Sequence, residues 1–179
     1  ERLETGELTR EQVMLGRFHE FFESEGLPTD QVKVFNDEYQ IRLGDKAFFC
    51  DHGDELVKQL KATVKQYAVT NGTTVAQERK LRFSGLDQLL DGVFISEQVG
   101  VDKPQKAFFD AVWNEIGSYA PDEVVIVGDS LTSDIRGGKN AGILTCWYNP
   151  DHLPNKIEVT PDCTIDNLQD ILSYLDESR

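Results

Sequence analysis

The run Val124–Val127 constrains this chain more than any other stretch. Four consecutive β-branched apolar residues offer no polar face to water. As a strand they need cover on both sides, as in a parallel sheet packed between helices. Gly128 then lets the chain turn, and Asp129 stands where the strand stops. Thr132 or Ser133 is placed to cap a helix running from about Thr132 to Ala141. Asp134 then falls in its first turn, where the helix dipole favours a carboxylate. Two acids, Asp129 and Asp134, therefore lie five positions apart at the carboxyl end of a parallel strand, the edge where open α/β sheets bind ligands. Taken alone, a G-D-S turn is equally an ordinary strand-to-helix connection.

The preceding chain supplies the partners such a strand needs. Residues 1–50 predict an all-helical unit. Thr9-Arg10-Glu11-Gln12 has the pattern of a capping box, and Met14, Phe18, Phe21 and Phe22 fall on one helical face that Gly26 ends. Pro28-Thr29-Asp30 opens a second, less regular segment, and Asp51–Lys65 continues helical with Leu56, Leu60 and Val64 on one face. A Phe-rich face of this kind predicts packing rather than a substrate wall. From Gln66 onward strands and helices alternate: strands at Tyr67–Thr70, Gly92–Ile95, Val124–Val127, Ile143–Tyr148 and Cys163–Ile165. Between them, a helix capped by Thr73 or Thr74 runs to about Phe83, another opens with Pro104 in its first turn, and a last helix covers Leu168–Leu175. Strands separated by helices predict a doubly wound parallel sheet. The expected division is a helical unit over 1–50 and an α/β core over 51–179.

Composition excludes several function classes. A formal net charge of −14 opposes binding to nucleic-acid polymers or to anionic membrane surfaces. No apolar run approaches the roughly 20 residues that cross a bilayer, and no signal peptide is visible at the start. Cys50, Cys146 and Cys163 are odd in number and widely spaced, which suggests reduced thiols in a cytoplasm rather than a disulfide framework. Cys50-Asp51-His52 has no second Cys/His pair, so no zinc site is expected. His19 and His152 are expected to be ordinary polar positions, and Trp113 and Trp147 core or interface anchors.

Three features recur at strand ends: Thr70-Asn71-Gly72, Lys103 before Pro104, and Asp129 with Asp134. In a parallel sheet these ends share one edge, and each residue type suits a phosphoryl group. A Thr hydroxyl and the amides of a Gly turn bind phosphate oxygens. A Lys ammonium neutralises developing negative charge. Carboxylates hold Mg²⁺, a hard ion that prefers oxygen ligands. Singly these signals are weak, since a surface Lys is usually just solvated and Thr70 alone could be a strand-end cap.

Together and in this order, Thr70-Asn71-Gly72, Asp102-Lys103-Pro104 and Gly128-Asp129-Ser130-Leu131-Thr132-Ser133-Asp134 resemble the second, third and fourth motifs of the haloacid dehalogenase (HAD) superfamily. The fuller text VTNG, GVDKPQKAFFDAV and VGDSLTSDIRGGKNAGILTCWYNP is similar to the YjjG-type bacterial pyrimidine 5′-nucleotidases. The resemblance implies a HAD-like α/β core, with the helical first 50 residues as an inserted cap that closes over the site and chooses the substrate. It implies that Thr70, with the Asn71 and Gly72 amides, binds the phosphate. Lys103 would stabilise charge on the nucleophile and the transferring phosphoryl, Asp129 would bind Mg²⁺ directly, and Asp134 would support the metal, its waters or Lys103. The implied activity is Mg²⁺-dependent hydrolysis of a small phosphomonoester, a nucleoside 5′-monophosphate first, through an aspartyl-phosphate. A sugar-phosphate or phosphoglycolate phosphatase of the same fold is the alternative substrate reading, and a non-catalytic phosphate-binding remnant the alternative class.

The family's first motif, Asp-x-Asp-x-Thr after an apolar strand, does not occur in this chain. The resemblance puts that strand at the centre of the sheet, between Tyr67–Thr70 and Val124–Val127, and makes its first Asp the nucleophile. Its omission predicts a gap of about 10 Å, two strand spacings, flanked by unpaired edges. The expectation is a fragment whose nucleophile lies upstream, and which does not turn over by itself.

Overall fold

In the computed structural model, residues 7–117 and 119–177 are described. Helix α1 (Arg10–Ser24) starts from the expected capping box: Gln12 N donates to Thr9 Oγ1 at 3.2 Å and Thr9 N to Gln12 Oε1 at 2.9 Å. Two of the donors that a helix start leaves unpaired are thereby satisfied. Helix α2 (Val32–Leu43) follows after a 3₁₀ turn. The two helices meet through edge-on rings, Phe18 on Phe35 and Tyr39 and Phe22 on Phe35, with centroids 5.0, 5.1 and 5.2 Å apart. The phenylalanine face is thus packing, although Phe21 at its margin is exposed.

Helix α3 (Gly53–Leu60) is shorter than the Asp51–Lys65 expected. It leads into strand β1 (Tyr67–Thr70), helix α4 (Thr74–Ser84, capped by Thr73) and strand β2 (Gly92–Ile95). A one-turn helix α5 (Ser96–Val99) then precedes α6 (Lys106–Ile116). Pro104 lies two residues ahead of α6 rather than in its first turn, after a cis Lys103–Pro104 peptide. Strand β3 (Val125–Gly128), helix α7 (Arg136–Ala141), strands β4 (Leu144–Tyr148) and β5 (Cys163–Ile165) and helix α8 (Ile171–Glu177) complete the chain.

Every strand pairing is parallel, as the apolar runs required, but the sheet is in two pieces. β1 pairs with β2, while β3, β4 and β5 form a separate three-stranded piece in that order. Helix α6 spans both: Phe108, Phe109 and Val112 pack with Val69, Phe94, Ile126 and Ile143. A second cluster joins Leu56 of α3, Cys146, Ile165 and Ile171 of α8. Helix α7 sits close to the sheet because Gly138 carries no side chain, and close to Phe109 of α6 because Gly137 carries none. A Cβ on Gly138 would lie 2.5 Å from Ile126 Cγ2 and 2.6 Å from Thr145 Cγ2.

One expectation is corrected. Val124–Val127 was to be covered on both faces, yet Val127 is 39% exposed while Ile126 is buried. Among the described residues the only strand paired with β3 is β4, and its other edge and the face beside it stay open there. The cysteines also differ from their sequence spacing. Cys146 and Cys163 are directly paired positions of adjacent strands, both free thiols that burial holds above the usual thiol range.

Candidate active site

The carboxyl ends of β1, β2 and β3 gather the residues singled out by the sequence. After β1, Asn71 uses its side chain rather than only its amide. Its Nδ2 donates to the Lys103 carbonyl and its Oδ1 accepts from Lys103 N, both at 2.9 Å. This reciprocal pair locks the turn after β1 to the loop carrying the lysine. The Gly72 N–H, expected on phosphate, donates here to Ser96 Oγ at 3.2 Å. Ser96, at the end of β2, is buried and was not anticipated.

Lys103 is not a solvated surface lysine. It is 5% exposed, and its Nζ donates to the Val69 carbonyl of β1 and to Asp134 Oδ1, each at 2.7 Å. The ammonium therefore joins the two sheet pieces at their carboxyl ends, which no strand ladder among the described residues connects. A buried charge needs such a partner. Asp134 is 8% exposed, and its second oxygen accepts from Ser130 N at 3.2 Å. Gly128 is required for this approach, since a Cβ there would fall within 2.5 Å of Asp134 Cβ and Cγ.

The turn after β3 departs from the expected helix start. Ser130, not Thr132 or Ser133, is the cap, accepting from Ser133 N at 3.2 Å. Leu131–Ile135 is a π-type turn before α7 begins at Arg136. The wider turn lets Asp134 fold back against Ser130 and toward Lys103. Asp129 is held differently: Trp147 Nε1 donates to its carbonyl at 3.0 Å, and its side chain is exposed. Trp147 is thus a core anchor with a second task, fixing the backbone at Asp129.

The two acids consequently have different work available to them. Asp134 is committed to Lys103, and Asp129 presents a carboxylate with no hydrogen-bond partner among the described residues. A carboxylate left free at a strand's end is the donor a hard divalent cation takes. Among the described residues no three His, Cys, Asp or Glu side chains cluster to enclose a metal. Thr70, the last residue of β1, lies at the same edge of the fold.

One further residue belongs to this cluster and was missed. Arg10, the first residue of α1, donates from Nη1 to the Gly72 carbonyl at 3.0 Å and from Nη2 to Ser96 Oγ at 2.6 Å. Its Nη2 also forms an ion pair with Asp102, the residue before Lys103. Nothing in local sequence signals contacts across separations of 62 to 92 residues.

The fold thus sets a paired lysine and two acids at the carboxyl edge of a parallel α/β sheet, the edge where such folds bind ligands. A family model described as haloacid dehalogenase-like hydrolase matches residues 4–142, and the chain belongs to that family. It is 35% identical over 172 residues to the HAD-hydrolase YfnB of Bacillus subtilis, covering 96% of this chain and 73% of the relative. The crystal structure of magnesium-bound YfnB superposes with a TM-score of 0.90 at 34% identity, over 98% of this chain and 76% of that one. The pyrimidine 5′-nucleotidases PynA of Streptococcus pneumoniae and YjjG of Escherichia coli are 34% and 31% identical, over 98% and 96% of this chain and 74% and 75% of theirs. The α/β HAD fold with a helical cap is therefore that of this chain. Among the described residues no helix is long and apolar enough to cross a membrane.

Proposed function

We propose that this chain is the larger part of a Mg²⁺-dependent phosphomonoesterase acting on nucleoside 5′-monophosphates. The observation that carries the reading is the buried Lys103–Asp134 pair bridging β1 to the turn after β3, beside the free carboxylate of Asp129. Similarity to two pyrimidine nucleotidases supports the substrate class. In this reading Thr70 Oγ1 and the Asn71 amide bind phosphate oxygens, and Lys103 holds positive charge where the transferring group gathers negative charge. Asp134 pairs with that ammonium and aims it, while Asn71 fixes the lysine's backbone. Asp129 would hold Mg²⁺, which when bound neutralises phosphoryl oxygens.

The open edges of β1 and β3 support a further part of the proposal. A sixth strand, parallel and bearing a nucleophilic carboxylate, fills the gap and completes the site, and the reaction passes through its phosphorylated form. The helical unit is the cap, and the protein works in the cytoplasm on a small phosphorylated metabolite. Without that strand the chain does not turn over.

The test is phosphate release by the full gene product from a panel of esters, with Mg²⁺ and with EDTA. The expected result is Mg²⁺-dependent hydrolysis with pyrimidine nucleoside monophosphates the best substrates. Sugar phosphates or phosphoglycolate as best substrates would move the reading to that class. No hydrolysis of any ester would remove the phosphatase reading and leave a phosphate-binding remnant.

A further inference from the structure

We propose that Arg10 is a positioning residue, one that couples the seating of the helical cap to the geometry of the phosphate-handling loops. The inference rests on the phosphomonoesterase reading for its kinetic consequence, but its structural basis is independent of it. Arg10 opens α1 and projects its guanidinium into the α/β unit, where it reaches three separate loops. It meets the Gly72 carbonyl after β1, Ser96 Oγ after β2, and the Asp102 carboxylate ahead of α6. Its side chain is largely buried there.

Each acceptor adjoins a residue already assigned work. Gly72 follows Asn71, whose side chain grips the Lys103 backbone from both directions. Asp102 precedes Lys103, and Ser96 holds the Gly72 amide. A shift of Arg10 therefore moves the turn after β1 and the lysine loop together. Only a planar fork of several N–H donors reaches three acceptors in fixed directions; a lysine has one nitrogen and no such plane. An exposed pair would add little, but this one is enclosed.

A second tie gives the control. Gln40 of α2 accepts from Thr73 Oγ1 at 2.9 Å, also joining cap to core, yet it touches neither Asp102 nor the lysine loop. Loosening the cap through Gln40 and releasing the loops through Arg10 are thus separable.

The experiment compares Arg10→Ala, Arg10→Lys and Gln40→Ala with the parent, by hydrogen exchange on this chain and by kinetics on the full gene product. In Arg10→Ala, exchange over 70–74 and 101–105 is expected to rise about tenfold or more. Its kcat is expected to fall on the order of 10²-fold, as for a small misplacement of reacting groups, with KM changed much less. Added guanidinium should restore part of the lost kcat, and Arg10→Lys should restore less than half. Gln40→Ala, whose partner Thr73 lies in the first window, should leave exchange over 101–105 and kcat near the parent. Parental exchange in Arg10→Ala, or equal losses of kcat in Arg10→Ala and Gln40→Ala, would overturn the proposal. If the parent releases no phosphate, the functional reading fails, and the exchange data alone still decide whether Arg10 orders these loops. If Arg10→Ala does not fold, Arg10→Lys carries the same two comparisons.

Discussion

The helical cap and the α/β unit both carry large apolar residues but dispose of them differently. In the α/β unit Phe108, Phe109, Val112, Ile126 and Ile143 close into a core under α6. In the cap Phe22 and Val32 are buried, whereas Phe21, Val34, Phe35, Phe48 and Phe49 remain exposed. A pair of helices can bury only the stripes that face each other, while a sheet covered on both faces absorbs whole apolar runs. The cap meets the core through polar ties as well, Arg10 to three loops and Gln40 to Thr73. One region is organised by apolar burial, and the other is seated on it in part by directed hydrogen bonds.

The contrast predicts unequal costs. Phe108→Ala, at a fully buried site, should cost about 3–5 kcal/mol in urea unfolding. Phe35→Ala, at a site 43% exposed, should cost well under half of that. Equal losses would break the comparison.

Within the α/β unit the two acids should separate in the same way. Asp134→Asn leaves the Lys103 ammonium buried without its counter-charge and should cost about 3–5 kcal/mol. Asp129→Asn, at an exposed side chain, should change stability by no more than about 0.5 kcal/mol. Denaturant midpoints for the two variants measure this directly.

Glycine substitutions sharpen the contrast at a smaller scale. Gly138→Ala drives a methyl group into Ile126 and Thr145 and should destabilise by about 1–3 kcal/mol. Gly16→Ala in α1, where a Cβ would meet nothing within 4 Å, should stabilise by roughly 0.5–1 kcal/mol. Thermal unfolding of both variants should shift in opposite directions.

A small, pH-dependent effect is expected at Asp162, which binds Thr145 in β4 and Lys139. Burial pushes its carboxyl up, but the Lys139 ammonium and the Thr145 donors outweigh that and hold it below the usual range. A lowered folded pKa contributes stability above the unfolded value of about 3.9, and that contribution is lost as pH falls through the folded one. Because Asp162 is partly exposed, solvent screening keeps the effect below about 1 kcal/mol. Asp162→Asn should therefore lower stability slightly at neutral pH and flatten its decline in acid, as read from unfolding midpoints at a series of pH values.

How much was legible in the sequence follows from the same physics. Strands β1, β2 and β5 fell where their apolar runs stood, because a strand covered on both faces needs a continuous run. The capping box at Thr9 was legible because it is local. The start of the turn after β3 was not, since choosing Ser130 over Thr132 depends on Asp134 folding back to meet Lys103. Thr70, Lys103, Asp129 and Asp134 were named from their places at strand ends, yet that Asp134 is taken by Lys103 while Asp129 is free is a matter of side-chain direction. Arg10, and the pairing of Cys146 with Cys163, depend on contacts between distant residues that no spacing rule reports.

The central claim is that Asp129 holds Mg²⁺ for phosphomonoester hydrolysis while Asp134 serves Lys103. The most direct test is phosphate release from a pyrimidine nucleoside 5′-monophosphate as Mg²⁺ is titrated, with the full gene product and its Asp129→Asn variant side by side. The account predicts saturable Mg²⁺ dependence in the parent and, on losing a charged metal ligand, a fall in activity on the order of 10²-fold or a much higher Mg²⁺ requirement in the variant. Equal activity of the two proteins, or parental activity that survives EDTA, would contradict it.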